Sequence, residues 1–184
     1  MSPVDRAARV LVVAFLAMSP VAATAQVEPP AIIVVDYQRV VRESAAAGAV
    51  RAQIDALRIS YQEEFARIEE ELRALEAELT EQRPVLSDDE FVKRRREFEQ
   101  RVTEAQREAQ YRRAALDRAL DVAMDLVQSA LLDVIAAVAE EQEADLVLNQ
   151  ADVVMADQDL DFTVASLNRL NEVLPYVDVI VPEQ

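Results

Sequence analysis

Carboxylates and guanidinium groups are the side chains in this sequence that could take part in acid–base chemistry or bind a charged ligand. Asp88 and Asp89 form an adjacent pair of carboxylates, and Arg94, Arg95 and Arg96 form a basic run. Paired carboxylates act as general acid and base where burial or a neighbouring charge shifts their pKa. These residues lie in a strongly charged stretch typical of solvated helices, so the pair does not predict a catalytic site.

Residue types that catalysis and metal binding commonly need are absent from the sequence. It has no Cys and no His, which excludes disulfides, Cys or His metal sites and nucleophilic catalysis based on histidine. Its single Gly excludes glycine-rich dinucleotide and phosphate loops, and argues against a turn-rich sandwich or barrel within one chain. We therefore predict a helix-dominated protein that is not an enzyme, with no catalytic residues, no metal and no cofactor.

The charges are distributed unevenly along the 184 residues. The chain has 35 acidic and 19 basic residues, a net charge of −16. Residues 44–138 contain 20 acidic and 14 basic residues, whereas residues 139–184 contain 11 and one. Nucleic-acid binding needs clustered positive charge, so we expect none, and the same balance argues against direct binding to anionic lipid. The basic clusters at 93–96 and 112–113 are expected to pair with nearby glutamates on a solvated helix face.

Residues 1–25 have the features of a cleaved export signal. Arg6 and Arg9 supply a positive start, Val10–Met18 is a short apolar core, and Ala-Thr-Ala at 23–25 fits a cleavage site that follows small residues. This pattern predicts cleavage after Ala25, and together with the acidic, Lys-poor composition it indicates localisation in the periplasm. The alternative is an uncleaved anchor, against which the apolar core argues because it is about ten residues long, compared with the ~20 of a membrane span.

Short β-branched runs predict strands on both sides of a long helical region. After a linker at 26–30, which ends in two prolines, Ala31–Asp36 is typical of a buried strand, with its last residue as the cap of a short turn within 31–43. Asp145–Asn149, Val153–Ala156 and Tyr176–Val181 are the strands predicted within 144–184. A short helix is expected between the last two; it starts at Asp161-Phe162-Thr163, with Asp161 or Thr163 as its cap, and ends near Val173.

Residues 44–143 predict two long helices. Ser44 is the expected start, and apolar residues then recur at steps of three and four, a coiled-coil seam. The seam of the first helix consists of Ile54, Leu57, Tyr61, Phe65, Ile68, Leu72, Leu75 and Leu79. It stops before Pro84, and Ser87 with Glu90 forms a capping box that begins the second helix. A connection this short makes the helices antiparallel, with the tip near 83–88.

The second helix has a sparse apolar seam that becomes dense after Leu116. Its seam residues are Phe91, Phe98, Val102, Ala105, Ala109, Leu116, Leu120, Met124, Val127, Leu131, Val134 and Val138. This gradient predicts a body at the base of the two helices and a thin polar arm beyond it. The few predicted strands cannot form a core alone, and unpaired sheet edges favour association with another chain. The expected oligomerisation residues are Ile32, Ile33, Val34, Val35, Leu146, Val147, Leu148, Val153 and Val154.

Several short motifs resemble the Skp/OmpH family of periplasmic chaperones. They are Ile33-Val34-Val35-Asp36 with Gln38-Arg39-Val40 and Glu43-Ser44, then Ala144–Asn149, Ala156-Asp157, Leu160–Thr163 and Leu170-Asn171. The resemblance covers about residues 31–171. It implies an α+β homotrimer in which short strands of three chains form a small barrel, and each chain extends a long antiparallel coiled-coil arm around a cavity.

The resemblance also implies a function. The family holds unfolded outer-membrane β-barrel proteins in that cavity without ATP, so the implied partners are such proteins and two further copies of the chain. Apolar residues of the arm are the candidate client contacts: Val85, Leu86, Phe91, Phe98, Val102 and Tyr111. Ordinary packing against the partner helix is the alternative for each of the last four. A structural spacer in the cell envelope, with a fixed partner at the tip residues Val85 and Leu86, is the alternative function.

Overall fold

Two long helices make up most of the chain in the computed structural model, which describes residues 29–182. The predicted export signal at 1–25 and the first residues of the predicted linker lie outside the described residues. In chain order the elements are β1 (Ile32–Val35), α1 (Tyr37–Glu43), α2 (Ala45–Gln82), α3 (Asp88–Glu141), β2 (Leu146–Asn149) and α4 (Thr163–Val173). Two short 3₁₀ turns, Gln150–Asp152 and Gln158–Leu160, connect β2 to α4.

Side-chain caps determine where the first three helices begin. Asp36 Oδ1 accepts the backbone N–H three residues further on at 2.8 Å and caps α1. Ser44 Oγ accepts the corresponding N–H at 3.3 Å and caps α2, so the two helices are separated by a single residue. Ser87 Oγ accepts the N–H of Glu90 at 3.3 Å and donates to its carboxylate at 3.1 Å. The three caps expected from the sequence are therefore present.

The long helices α2 and α3 pack antiparallel because only residues 83–87 join them. Glu64 forms an ion pair with Arg112 midway along the pair, and the side chains of Gln82 and Arg94 meet near the turn. With 38 and 54 residues, the helices are about 57 and 81 Å long at ~1.5 Å per residue.

Burial along this helix pair is confined to one end. The buried residues of α2 lie between Ala46 and Ile54, and those of α3 lie between Ala115 and Val138. No residue from 55 to 114 is buried, although the seam positions are half-buried. We call residues 55–114 the arm and the buried end the base. The gradient in apolar content along the sequence therefore corresponds to a gradient in burial.

The sheet is a parallel pair, β1 and β2, with Ile32 opposite Leu146 and Val35 opposite Asn149. Helices α1 to α3 form the connection between the two strands, as parallel strands require. The other side of β1 is occupied at Val34, whose carbonyl accepts the Phe162 N–H at 2.9 Å. Within residues 29–182, the outer edge of β2 has no strand beside it.

Helix α4 closes the base through both apolar and polar contacts. Leu170 is fully buried in the same cluster as Val35, Val50 and Leu131. The contacts with the start of the chain are hydrogen bonds: Thr163 Oγ1 accepts the Asp36 N–H at 2.8 Å, and Asn171 Oδ1 accepts the Ala45 N–H at 2.8 Å. These bonds satisfy two backbone donors at helix starts, which explains why polar residues of α4 lie next to the core.

Two predicted strands are not strands. Val154 and Met155, in the predicted strand Val153–Ala156, are 102% and 88% exposed, so neither side chain has a surface to pack on. The second, Tyr176–Val181, lies beside the helix pair instead of beside a strand, and its backbone bonds to a side chain of α2. Both runs have strand-like composition but no partner strand in the described chain, and strand formation needs one.

Candidate functional site

A groove of about 820 Å³ runs between α2 and α3 on the inner half of the arm. Large side chains of α2 line one wall, including Tyr61, Phe65 and Leu72, whereas the facing positions of α3 include Ala105 and Ala109. The alanines leave space that a pair of leucines would fill, so the helices do not pack to the density of a protein core here. The sparse seam in the first half of α3 is the sequence signal of this groove.

Arg112 lies in the wall of the groove among opposite charges and aromatic rings. Its guanidinium pairs with Glu108 on the same helix at 2.6 Å and with Glu64 across the groove. Its Cζ lies 4.8 Å from the ring centroid of Tyr61 and 5.7 Å from that of Phe65. The hydrogen bonds to Glu108 and Glu64 raise the pKa of Arg112, so it stays charged. The arrangement joins the two helices through Arg112. Both carboxylates, of Glu64 and Glu108, are paired with its guanidinium, so the cluster suits contact between helices and not proton transfer.

The predicted client contacts on α3 are all half-buried. Phe91 lies under the guanidinium of Arg83, whose Cζ is 4.5 Å from the ring centroid. Phe98 lines a smaller groove nearer the tip, and Val102 lines the main groove. The Tyr111 hydroxyl donates to the carbonyl of Pro182 at 3.2 Å. Each side chain therefore contacts its own chain and also keeps part of its surface accessible.

The two predicted contacts at the tip differ in exposure. Val85 is 81% exposed, and Leu86 is half-buried. The carbonyl of Gln82 accepts the N–H groups of both residues at 3.1 Å, which fixes the turn between the helices. The tip therefore presents one apolar side chain on an ordered turn.

The predicted oligomerisation residues divide into three groups by exposure. Ile33, Val34 and Val35 are 3%, 3% and 1% exposed, so their side chains already belong to the core of their own chain. The half-buried group is Ile32, Val147, Leu148 and Val153. Leu146 and Val154 are exposed. Among these residues, the side chains that remain available to another chain are mainly those of β2 and of the segment after it.

A second apolar surface, which the sequence reasoning did not separate from the core, lies on the base of α3. Val122, Leu126 and Leu132 are 63%, 54% and 58% exposed. α3 also contains an 18-residue window that is long and apolar enough to cross a membrane by composition, of which 28% is buried. One helix of this kind is weak evidence for a membrane span. In the sequence, Val122 and Leu126 are apolar residues four positions apart that lie outside the main seam. Residues at this spacing are neighbours on one face of a helix, so the pair indicates an apolar surface there.

A family model described as outer membrane protein (OmpH-like) matches residues 31–170. The chain belongs to the OmpH-like family. A crystal structure of a candidate outer membrane chaperone, OmpH-like, from Caulobacter crescentus CB15 aligns with a TM-score of 0.78 and 18% sequence identity. The alignment covers 85% of this chain and 93% of the other. At this identity the likeness shows the fold. No curated protein matched the chain.

Membership of the OmpH-like family supports a chaperone role in general terms, and the family is non-enzymatic in general. The match contains both strands, the whole arm and most of α4. It ends at residue 170, so the segment after α4, which contacts Gln53 and Tyr111, lies outside the OmpH-like region.

Proposed function

We propose that the mature chain is an ATP-independent holdase of the periplasm, which binds unfolded outer-membrane β-barrel proteins and prevents their aggregation. The observation that supports this function best is the arm, where residues 55–114 have a half-buried apolar seam, an unfilled groove and no buried residue. An unfolded membrane barrel exposes alternating apolar side chains and unpaired strand edges, which aggregate in water. Partly exposed apolar side chains spread along an arm offer such a client many weak contacts.

The working assembly that we propose is a homotrimer with a cavity between three arms. The copy number comes from the family resemblance. Two features of the single chain support association: β2 has an outer edge without a strand beside it in the described residues, and apolar side chains are exposed on α3 and on the chain after it. The exposed side chains are Val122, Leu126, Leu132, Leu146, Val154 and Met155. Exposed apolar surface of this kind marks sites of protein association.

The charges of the arm fit weak and adaptable binding. Arg73 pairs with Glu69, and Arg95 pairs with Glu99, through side chains that are more than half exposed. Such surface pairs contribute only ~0–1 kcal/mol each, so they keep the arm soluble without fixing a partner in place. Clients of many sequences can therefore share the apolar seam.

Dilution of a urea-unfolded outer-membrane β-barrel protein into buffer tests this function. We expect the purified mature chain to suppress light scattering at near-stoichiometric ratio, with and without ATP, while an acidic control protein of similar net charge does not. In a separate measurement without client, the molecular mass of the purified chain from static light scattering should be that of a trimer. Failure to suppress aggregation across a range of salt concentrations would contradict the holdase, and a monomer would contradict the assembly.

The exposed Val85 favours a second candidate, an envelope spacer that binds one fixed partner through its tip. The sequence has no Cys, so single-cysteine variants give unambiguous crosslinks. Val85→Cys reports on the tip, and Ala66→Cys reports on the groove, which Ala66 lines. Many clients crosslinked at 66 support the holdase, whereas one dominant partner at 85 supports the spacer.

A further inference from the structure

The segment after α4 lies against the helix pair with alternate side chains facing inwards. Val177 is 6% exposed and belongs to the core cluster, and Val179 and Val181 are half-buried. Asp178 is exposed, and Ile180 is 81% exposed. An alternation with period two is the pattern of a strand with one face packed. We call Tyr176–Pro182 the C-terminal segment.

The side chain of Gln53 on α2 bonds to this segment as a neighbouring strand would. Its Nε2 donates to the Val177 carbonyl at 2.8 Å, and its Oε1 accepts the Val179 N–H at 3.1 Å. In a parallel ladder, one residue makes this same pair of bonds to two residues that flank a third. Nε2 also donates to the Ala49 carbonyl one helical turn back, at 3.2 Å, which fixes the orientation of the amide.

The other end of the segment is held by Tyr111 on α3, whose hydroxyl donates to the Pro182 carbonyl at 3.2 Å. From Val177 to Pro182 an extended chain spans about 17 Å at ~3.3 Å per residue. The neighbour of Tyr111, Arg112, pairs with Glu64 on α2, about 17 Å along that helix from Gln53 at ~1.5 Å per residue. The agreement indicates that the segment runs nearly extended from the base onto the arm.

All three hydrogen bonds between the helix pair and the C-terminal segment reach backbone atoms of the segment. Backbone N–H and C=O groups are present in every polypeptide, so these bonds do not depend on the sequence that is bound. The only further requirement is a small apolar side chain at alternate positions. Strands of outer-membrane barrels alternate apolar and polar residues in this way.

We propose that the strip of the helix pair from Gln53 to Tyr111 is a binding site for one extended segment of an unfolded client, and that the C-terminal segment occupies it until a client replaces it. The proposal rests on the holdase function above and specifies how one client segment is bound. The family match ends at residue 170, before the C-terminal segment. The competing explanation is a permanent strap that only completes the core.

Amide hydrogen exchange on the full chain separates the two explanations. The probe is a urea-unfolded outer-membrane barrel protein diluted into the chaperone at equimolar ratio. We expect the Val179 amide, whose N–H is bonded to Gln53, to exchange several-fold faster with the client than without it, while amides of α4 keep their rates. If the client is held soluble and the Val179 amide stays protected, the proposal is wrong and the holdase stands. If the client aggregates as it does alone, the holdase itself fails.

Deletion of residues 176–184 removes the C-terminal segment and allows an independent measurement of peptide affinity. Removal of a competitor raises apparent affinity by the inverse of the fraction of free sites. We expect a fluorescent ten-residue peptide of alternating valine and threonine to bind about tenfold tighter to the deleted chain than to the full chain. Gln53→Ala in the deleted chain should reverse most of that gain, and Gln100→Ala, at an exposed glutamine of α3 nearer the tip, should not.

A peptide in which every valine is N-methylated lacks the N–H equivalent to that of Val179, which Gln53 Oε1 accepts, and we expect it to bind several-fold more weakly than the parent peptide. Equal affinity of the two peptides, or equal affinity of the full and deleted chains, would overturn the exchange model. If circular dichroism shows that the deleted chain unfolds, the exchange rates of the full chain decide the matter alone.

Discussion

Arg112 of α3 forms an ion pair with Glu64 of α2 at the middle of the arm. The two residues are 48 positions apart in sequence, so the pair connects the two helices. The side chains are 26% and 39% exposed, less than those of the other ion pairs on the arm, apart from the Arg112 pair with Glu108. The rings of Tyr61 and Phe65 pack beside the guanidinium. Because residues 55–114 contain no buried side chain, polar contacts such as this ion pair and the Gln82–Arg94 hydrogen bond help to set how the arm helices lie against each other.

Replacement of Arg112 by Ala should loosen the arm more than the base. We expect a loss of about 1–2 kcal/mol, because a partly buried pair and a cation–π contact of ~0.5–1 kcal/mol disappear together. Hydrogen exchange of amides at 60–70 and 105–115 should rise, while exchange around Leu131 changes little. Arg73→Ala is the control, because its pair with Glu69 is 71% and 68% exposed and should contribute less than about 0.5 kcal/mol.

Filling the groove tests whether clients use it. Ala105→Leu places a larger side chain opposite Leu72, and we expect the unfolding temperature to stay the same or rise slightly, since apolar surface becomes buried. Aggregation suppression should fall several-fold if client side chains enter the groove. Ala114→Leu, at an exposed position of the same helix, is the matched control. Equal suppression by both variants would show that the groove is not a client site.

The sequence predicted features that depend on neighbouring residues. Asp36, Ser44 and Ser87 cap helices as expected, because a cap involves only the next few residues. The seam of alternating steps indicated which faces of α2 and α3 would meet. The change from sparse to dense seam near Leu116 predicted where the core begins, and Ala115 and Leu116 are the first buried residues of α3.

Features that depend on distant partners could not be predicted in the same way. Tyr176–Val181 was predicted to be a strand from its β-branched residues, but a strand needs a partner, and the partner here is the side chain of Gln53. Glu64 and Arg112 meet only because the turn at 83–87 sets the register of two long helices. The exposed Val154 shows the limit of composition, since a β-branched residue forms a strand only where a sheet receives it.

Glu143, just after the end of α3, has a strained backbone conformation that a substitution can relieve. Its φ is 51°, in the left-handed region that Gly usually occupies at a helix C-terminus. Glu143→Gly should stabilise the chain by roughly 0.5–1 kcal/mol, because removal of the Cβ contact outweighs the added freedom of the unfolded chain. Glu140→Gly, inside the helix, should destabilise by about 1 kcal/mol. Urea unfolding measures both, and a loss of stability in Glu143→Gly would contradict this reading of the cap.

Alkaline pH should destabilise the buried end of the helix pair through Tyr37, whose hydroxyl donates to Gln128 Oε1 at 3.3 Å. Burial raises the pKa of Tyr37 above its usual value of about 10. The folded chain then holds this proton more tightly than the unfolded chain, so its contribution is complete below pH ~10 and is lost as pH rises through the folded pKa. In Tyr37→Phe, the free energy of unfolding by urea should therefore fall less steeply between pH 9 and 11.5 than in the parent chain. Tyr176→Phe, which removes a 51% exposed phenol, is the control, and parallel pH profiles for Tyr37→Phe and the parent would contradict the prediction.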